Sequence, residues 1–181
     1  MALSATIYKA DLGVADIDRG YYGQHNLTIA CHPSETTARM MLRVLAFACH
    51  ADPDLKFGRG VSADDEPDLW LVQPDGRISL WVELGQPDER DLRKASARAD
   101  QVWLYTYGGR SVDPWWKKMQ SAAAKLDNLT IVNIPSETMA ALDGLTARTM
   151  KLDCTILEGS IQLSDGQQQL ELKPEFLQRS N

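Results

Sequence analysis

Two apolar-rich runs, Asp68 to Gln73 and Arg77 to Leu84, stand on either side of Pro74-Asp75-Gly76, and no other stretch constrains the fold as tightly. An Asp-Gly pair between alternating runs is the signature of a two-residue hairpin turn. With Asp75 and Gly76 as that turn, Pro74 faces Arg77 and the register follows. Leu69 meets Val82 and Leu71 meets Leu80 on one side; Trp70 meets Trp81 and Asp68 meets Glu83 on the other. A slip of one residue would turn every apolar side chain to the wrong face, so the alternation itself fixes the pairing.

That register sets two carboxylates against each other. Directly opposed side chains on paired strands have β-carbons about 4.5 to 5.5 Å apart, and like charges there are destabilising. A divalent cation removes the repulsion. Magnesium and manganese take oxygen ligands, often one or two carboxylates completed by waters and substrate phosphates. Spacing alone leaves two readings: Asp68 and Glu83 share a metal ion, or they splay into water from the strand ends.

The remaining chain alternates strand and helix signals. Ala5 to Val14 and Leu27 to Cys31, with turn formers between them, read as an N-terminal hairpin. Ser34 opens a helix whose apolar positions Met40, Met41, Val44, Leu45 and Ala48 recur at helical spacing until Asp52 and Pro53. A short strand over Leu55 to Val61 precedes the central hairpin. A helix from Pro87 to about Asp100 follows it, and Gln101 to Tyr107 reads as a strand buried on both faces. The order is αβββαβ. Pro114 to Leu126 extends it as a helix, Leu129 to Ile134 as a strand and Ser136 to Leu142 as a short helix. Alternation from Met150 to Leu172 predicts a small antiparallel meander.

The expectation is one α/β domain in four stretches: an N-terminal hairpin over 1–33, the αβββαβ core over 34–107, an extension over 108–145 and a C-terminal meander over 146–181. At 181 residues such a domain buries enough surface to fold without staples. Three cysteines, Cys31, Cys49 and Cys154, then fit reduced thiols in a cytoplasm. No run approaches the ~20 apolar residues that span a bilayer, which excludes membrane insertion by a helix. A net charge of -6 argues against a general nucleic-acid coat, so any contact with nucleic acid must be local.

Asp64-Asp65-Glu66-Pro67-Asp68, Trp81-Val82-Glu83-Leu84-Gly85 and Pro87-Asp88-Glu89-Arg90 resemble signatures of the YaeQ family. So do His32-Pro33-Ser34-Glu35-Thr36 and Met40-Met41-Leu42-Arg43. The resemblance runs from Met1 to the C-terminal meander. It implies a PD-(D/E)XK nuclease-like fold: an αβββαβ core in a mixed sheet flanked by helices, with an acidic residue on one strand and an acidic residue and a lysine on the next. Pro67-Asp68 looks like the first element and Glu83 like the second. Gly85 stands where the lysine is expected. The nearest candidate is Lys94 on the following helix, whose long side chain can reach back toward the strand end. Glu35 resembles an additional acidic residue that the superfamily places on its first helix, and it reads equally as a helix-start residue paired with Arg39.

The function implied is magnesium- or manganese-dependent phosphodiester hydrolysis on nucleic acid, with Asp68 and Glu83 as ligands and Lys94 and Glu35 as further catalytic candidates. The alternative is a non-catalytic module for protein or nucleic acid that keeps the fold. Arg59, Arg90, Arg98, Arg110, Lys117 and Lys118 stand equally as backbone contacts and as solvated charges. Cys31-His32 and Cys49-His50 lack the spacing of structural zinc ligands. No serine or cysteine nucleophile signature is present.

Overall fold

The computed structural model describes residues 4–60 and 65–181. Val61, the end of one expected strand, and Asp64 of the family signature lie outside the described residues. The elements run β1 (Thr6–Asp16), β2 (Tyr21–Cys31), α1 (Thr37–Cys49), β3 (Lys56–Phe57), β4 (Leu69–Val72), β5 (Ile78–Leu84), α2 (Glu89–Arg98) and β6 (Ala99–Thr106). They continue with α3 (Val112–Ala123), β7 (Leu129–Asn133), α4 (Ser136–Gly144), β8 (Thr149–Leu157), β9 (Ser160–Ser164), β10 (Gln169–Leu172) and β11 (Glu175–Gln178). This is a mixed α/β fold with two mixed sheets, and the αβββαβ order stands. The described residues form two compact units, one taking the chain up to Pro53 with Glu137–Pro174, the other Asp54–Ser136 with Glu175–Asn181.

The first unit holds a five-stranded sheet in the order β10-β9-β8-β1-β2. The two ends of the chain, expected as separate appendages, are one sheet: β8 pairs parallel with β1, Leu12 beside Leu152 and Val14 beside Cys154. The N-terminal hairpin leaves β1 with an open edge, and β8 brings the same alternation of inward apolar residues to it. Inward residues Leu12, Ile29, Leu152 and Leu163 are fully buried, and α1 packs on β1 and β2. Thr36, not Ser34, caps α1: its hydroxyl accepts from the Arg39 N–H at 3.1 Å. Glu35 therefore precedes the helix rather than sitting in its first turn.

The second unit is a six-stranded sheet in the order β11-β7-β6-β5-β4-β3. Strands β5, β6 and β7 are parallel, joined by α2 and α3. Those helices cover one face, where Trp81, Val102, Leu104, Leu129 and Ile131 pack with Leu92, Ala95, Met119 and Ala123. The expected meander over 146–181 is shorter than its range, because β11 leaves it to pair antiparallel with β7. The expected strand over 55–61 shrinks to Lys56–Phe57, the two residues that pair with Trp70 and Leu69.

The central hairpin corrects one step and keeps its result. Its loop has three residues, Pro74-Asp75-Gly76, closed by Gln73 N–H to Arg77 O at 2.8 Å and Gly76 N–H to Gln73 O at 2.8 Å. Val72 consequently pairs with Ile78. A bulge then absorbs the extra residue at Ser79, whose hydroxyl donates to Leu71 O at 3.1 Å and accepts from Gln73 Nε2 at 2.9 Å. Beyond it Leu71 meets Leu80, Trp70 meets Trp81 and Leu69 meets Val82, the pairs that the alternation predicts.

Candidate active site

Extending that register by one residue sets Asp68 opposite Glu83. Asp68 precedes β4, where the ladder to β5 has not begun, and its Oδ2 takes the place of a strand partner by accepting the Leu84 N–H at 2.9 Å. Its backbone is fixed from the other side: Asp68 O accepts from Gly58 N–H at 2.9 Å. That approach needs a glycine, because a β-carbon on Gly58 would lie 1.9 Å from the Pro67 carbonyl oxygen. Gly58→Ala is expected to force Pro67-Asp68 away from β3 and to cost about 1–3 kcal/mol, as overpacking does. Chemical denaturation measures the loss. Unchanged stability would show that the Asp68 carbonyl is not held this way.

Glu83 is half-buried on the face covered by α2. Its Oε1 accepts from Trp81 Nε1–H at 2.9 Å, two residues back on the same side of the strand. Trp81, Glu83, Arg90, Asp91 and Lys94 line an open pocket of about 440 Å³. Arg90 and Lys94 are one turn apart on α2, so both cations address the same space. Like charges at that spacing cost a helix a few tenths of a kcal/mol, which an anionic partner in the pocket would offset.

Why the strand carries no lysine follows from its end. Gly85 has φ +114°, a conformation that L side chains rarely adopt, and there the chain turns from β5 toward α2. A lysine at that position would be strained; one at position 94 reaches the pocket from the helix. Lys94 Nζ donates to Asp65 Oδ1 at 2.6 Å, and Arg98 Nη1 donates to Asp65 O at 2.9 Å. The hydrogen bond and charge of Lys94, with a smaller contribution from Arg98, hold the Asp65 carboxyl below its ordinary range. The Arg98 guanidinium lies 4.9 Å from the centre of the Trp81 ring.

Glu35 sits in the first unit in a different setting. Its side chain is 3% exposed and is gripped by Arg43 Nη2 at 2.5 Å and Arg39 Nη1 at 2.7 Å. Arg59 pairs with Glu66 at 2.9 Å. Lys94 and Arg98 share Asp65 as a partner, a contact that no sequence rule selects, although Arg90, Lys94 and Arg98 recur every four residues. A thiolate is disfavoured at two of the three cysteines: burial pushes the Cys154 thiol up to about 12 with Asp16 adding to it, and burial followed by Glu35 raises Cys31. Both thiols stay protonated.

The match to known proteins decides the family. The family model described as YaeQ protein matches residues 1–174. The chain belongs to the YaeQ family. It is 47% identical over 172 residues to the uncharacterized protein YaeQ of Escherichia coli (strain K12), covering 95% of each chain. The YaeQ protein of Salmonella typhi is 47% identical over 173 residues, 96% of each. Among solved structures, the YaeQ protein from Xanthomonas axonopodis pv. citri superimposes with a TM-score of 0.93 at 44% identity, over 97% of this chain and 99% of that one. The YaeQ protein from Pseudomonas syringae gives 0.90 at 38% identity, over 97% of each. The YaeQ likeness thus extends to the whole fold and both units.

Proposed function

We propose that this member of the YaeQ family is a metal-dependent phosphodiesterase of the PD-(D/E)XK type acting on nucleic acid, with Asp68 and Glu83 as ligands of magnesium or manganese. The observation that carries the reading is the shared pocket: a carboxylate on a sheet strand faces two helix cations, Arg90 and Lys94, in one open space. Two carboxylates fit a hard cation that keeps most of its waters. They do not fit a site built wholly from protein ligands, and no cluster of three or more His, Cys, Asp or Glu suited to metal occurs among the described residues.

When bound, such an ion polarises the phosphoryl group and makes water a stronger nucleophile. The chain supplies the rest. Trp81 orients Glu83 through its indole N–H, and the Leu84 N–H orients Asp68. Lys94 offers a mobile ammonium to the charge that develops on phosphate oxygens, once it leaves Asp65. Arg90 supplies charge at the rim. No helix among the described residues is long and apolar enough to cross a membrane; a cytoplasmic location is part of the proposal and rests on the cysteine usage of the sequence. The first test is incubation of single- and double-stranded DNA and RNA with the full chain and millimolar magnesium or manganese. Cleavage of at least one substrate, blocked by chelator, is expected. No product from any of them contradicts the enzyme and favours the alternative, an interaction module on the same fold.

Metal binding has its own readout. An ion that binds only the native state raises the melting temperature by mass action. Manganese is expected to stabilise the wild type and to leave Asp68→Asn and Glu83→Gln unmoved. A shift of equal size in all three would place the ion elsewhere.

A further inference from the structure

Beside the pocket at Glu83, on the same face of the sheet, lies a second and smaller one. Lys56 on β3 pairs with Trp70 on β4, and Trp70 pairs with Trp81 on β5, so these three side chains form one row across the sheet. One residue beyond the paired rows, Asp68 accepts the Leu84 N–H beside Glu83. Trp70, Val72 and Pro74, spaced two apart, line the second pocket with Asp54 and Lys56, and its volume is about 190 Å³. Val72 is 41% exposed. Trp70 is half-buried: its ring and the Trp81 ring meet in a T-shaped contact, centroids 6.2 Å apart and planes at 90°, and Trp70 also lines the pocket.

We propose that this pocket is a base-stacking subsite, in which Trp70 takes an unstacked nucleobase of a single strand whose backbone passes Asp68 and Glu83. The inference rests on the phosphodiesterase reading for its orientation and adds the form of the substrate. The volume is below the ~300–1,000 Å³ of sites that engulf a drug-sized ligand, which suits one flat ring rather than a longer group. An indole face takes any base, since every base has a π-face. Lys56, directly opposite Trp70, puts a cation where the attached phosphate would run, and the Asp54 carboxylate is an acceptor for N–H groups on a base edge. A base inside a duplex has both faces covered by its neighbours, so only a single-stranded or extruded base can occupy the site.

The rows across the sheet give the spacing of the contact. Trp70 and Asp68 are two residues apart on one side of the chain, roughly 7 Å along a strand at ~3.4 Å per residue. A base on Trp70 therefore belongs to a nucleotide adjoining the phosphate at the carboxylates.

The test measures binding, not cleavage. The full chain in chelator is titrated into a fluorescein-labelled single strand of mixed sequence, and into one of the same length in which the bases are removed but every phosphate is kept. Fluorescence anisotropy reads both. The strand with bases is expected to bind more tightly than the abasic strand and than its own duplex. Trp70→Ala is expected to weaken it by roughly 5- to 150-fold, the equivalent of ~1–3 kcal/mol for one stacked base. Trp70→Phe keeps part of the affinity, whereas Trp70→Leu, which retains apolar volume without a π-face, behaves like alanine. If Trp70→Ala fails to fold, the leucine variant and the abasic strand carry the comparison. Equal binding of the abasic strand, full affinity in Trp70→Leu, or saturable binding of an aromatic peptide in place of the oligonucleotide would overturn the proposal. Because no metal is present, no cleavage contributes to the anisotropy, and the binding is read apart from the reaction. Loss of the enzyme reading with stacking retained, and the reverse, are thereby separate results.

Discussion

Glu35→Ala is expected to lower stability by about 3–5 kcal/mol, the cost of breaking a buried ion pair and leaving its partner charged. The partner is Arg43, itself 5% exposed. It donates to Glu35 Oε1 at 2.5 Å through Nη2 and to Oε2 at 3.1 Å through Nε, with a further bond from Nη2 to Ala30 O at 2.8 Å. Arg39 adds a contact at 2.7 Å. Without the carboxylate, a guanidinium held between α1 and the end of β2 keeps the Ala30 carbonyl and loses the Glu35 charge. At ~2–4 °C per kcal/mol for a chain of this size, the transition of the first unit should fall by roughly 6–20 °C. Glu35→Gln, which keeps an acceptor, should lose less. The result separates two roles that the family resemblance leaves joined. A Glu35→Ala protein that melts like wild type but fails to cleave would place this carboxylate in the reaction, and a large loss of stability makes it a tie between α1 and the chain that leads into it.

How the sequence reveals some of this and conceals the rest is plain at the hairpin. The pairing of Trp70 with Trp81 and Leu69 with Val82 is legible because a buried face tolerates no slip. The loop is not legible: Asp75-Gly76 suits a two-residue turn and equally the end of a three-residue one. Only the bulge at Ser79 keeps the two answers compatible at the carboxylates. The pairing of β1 with β8 joins residues about 140 positions apart, and alternation says which face each strand buries, not which edge it meets. Glu35 and Arg39 are visible as a spacing of four; Glu35 and Arg43 are eight apart, and only the path of the chain before α1 brings them together. The displaced lysine has the same character. That position 85 is glycine can be read, but that its backbone stands at φ +114° belongs to the fold.

The second large effect concerns cleavage. Glu83 is held by the Trp81 indole on the strand and Lys94 stands on α2, so removing either leaves the sheet and helix intact while deleting one charged group from the pocket. Loss of a single preorganised electrostatic group costs roughly 10²–10³ in rate. Lys94 carries the finer distinction. In the structure it rests on Asp65 at 2.6 Å, an exposed pair of the kind that contributes little to stability. Lys94→Ala should therefore melt close to wild type, and whatever it loses is chemistry.

The most direct measurement is the single-turnover cleavage rate of the wild type, Glu83→Gln and Lys94→Ala on one substrate with saturating magnesium or manganese, with circular dichroism to verify the fold of each. Both variants are expected to stay folded and each to lose roughly 10²–10³ in rate. Cleavage at the wild-type rate by a folded Glu83→Gln protein would contradict the role of Glu83.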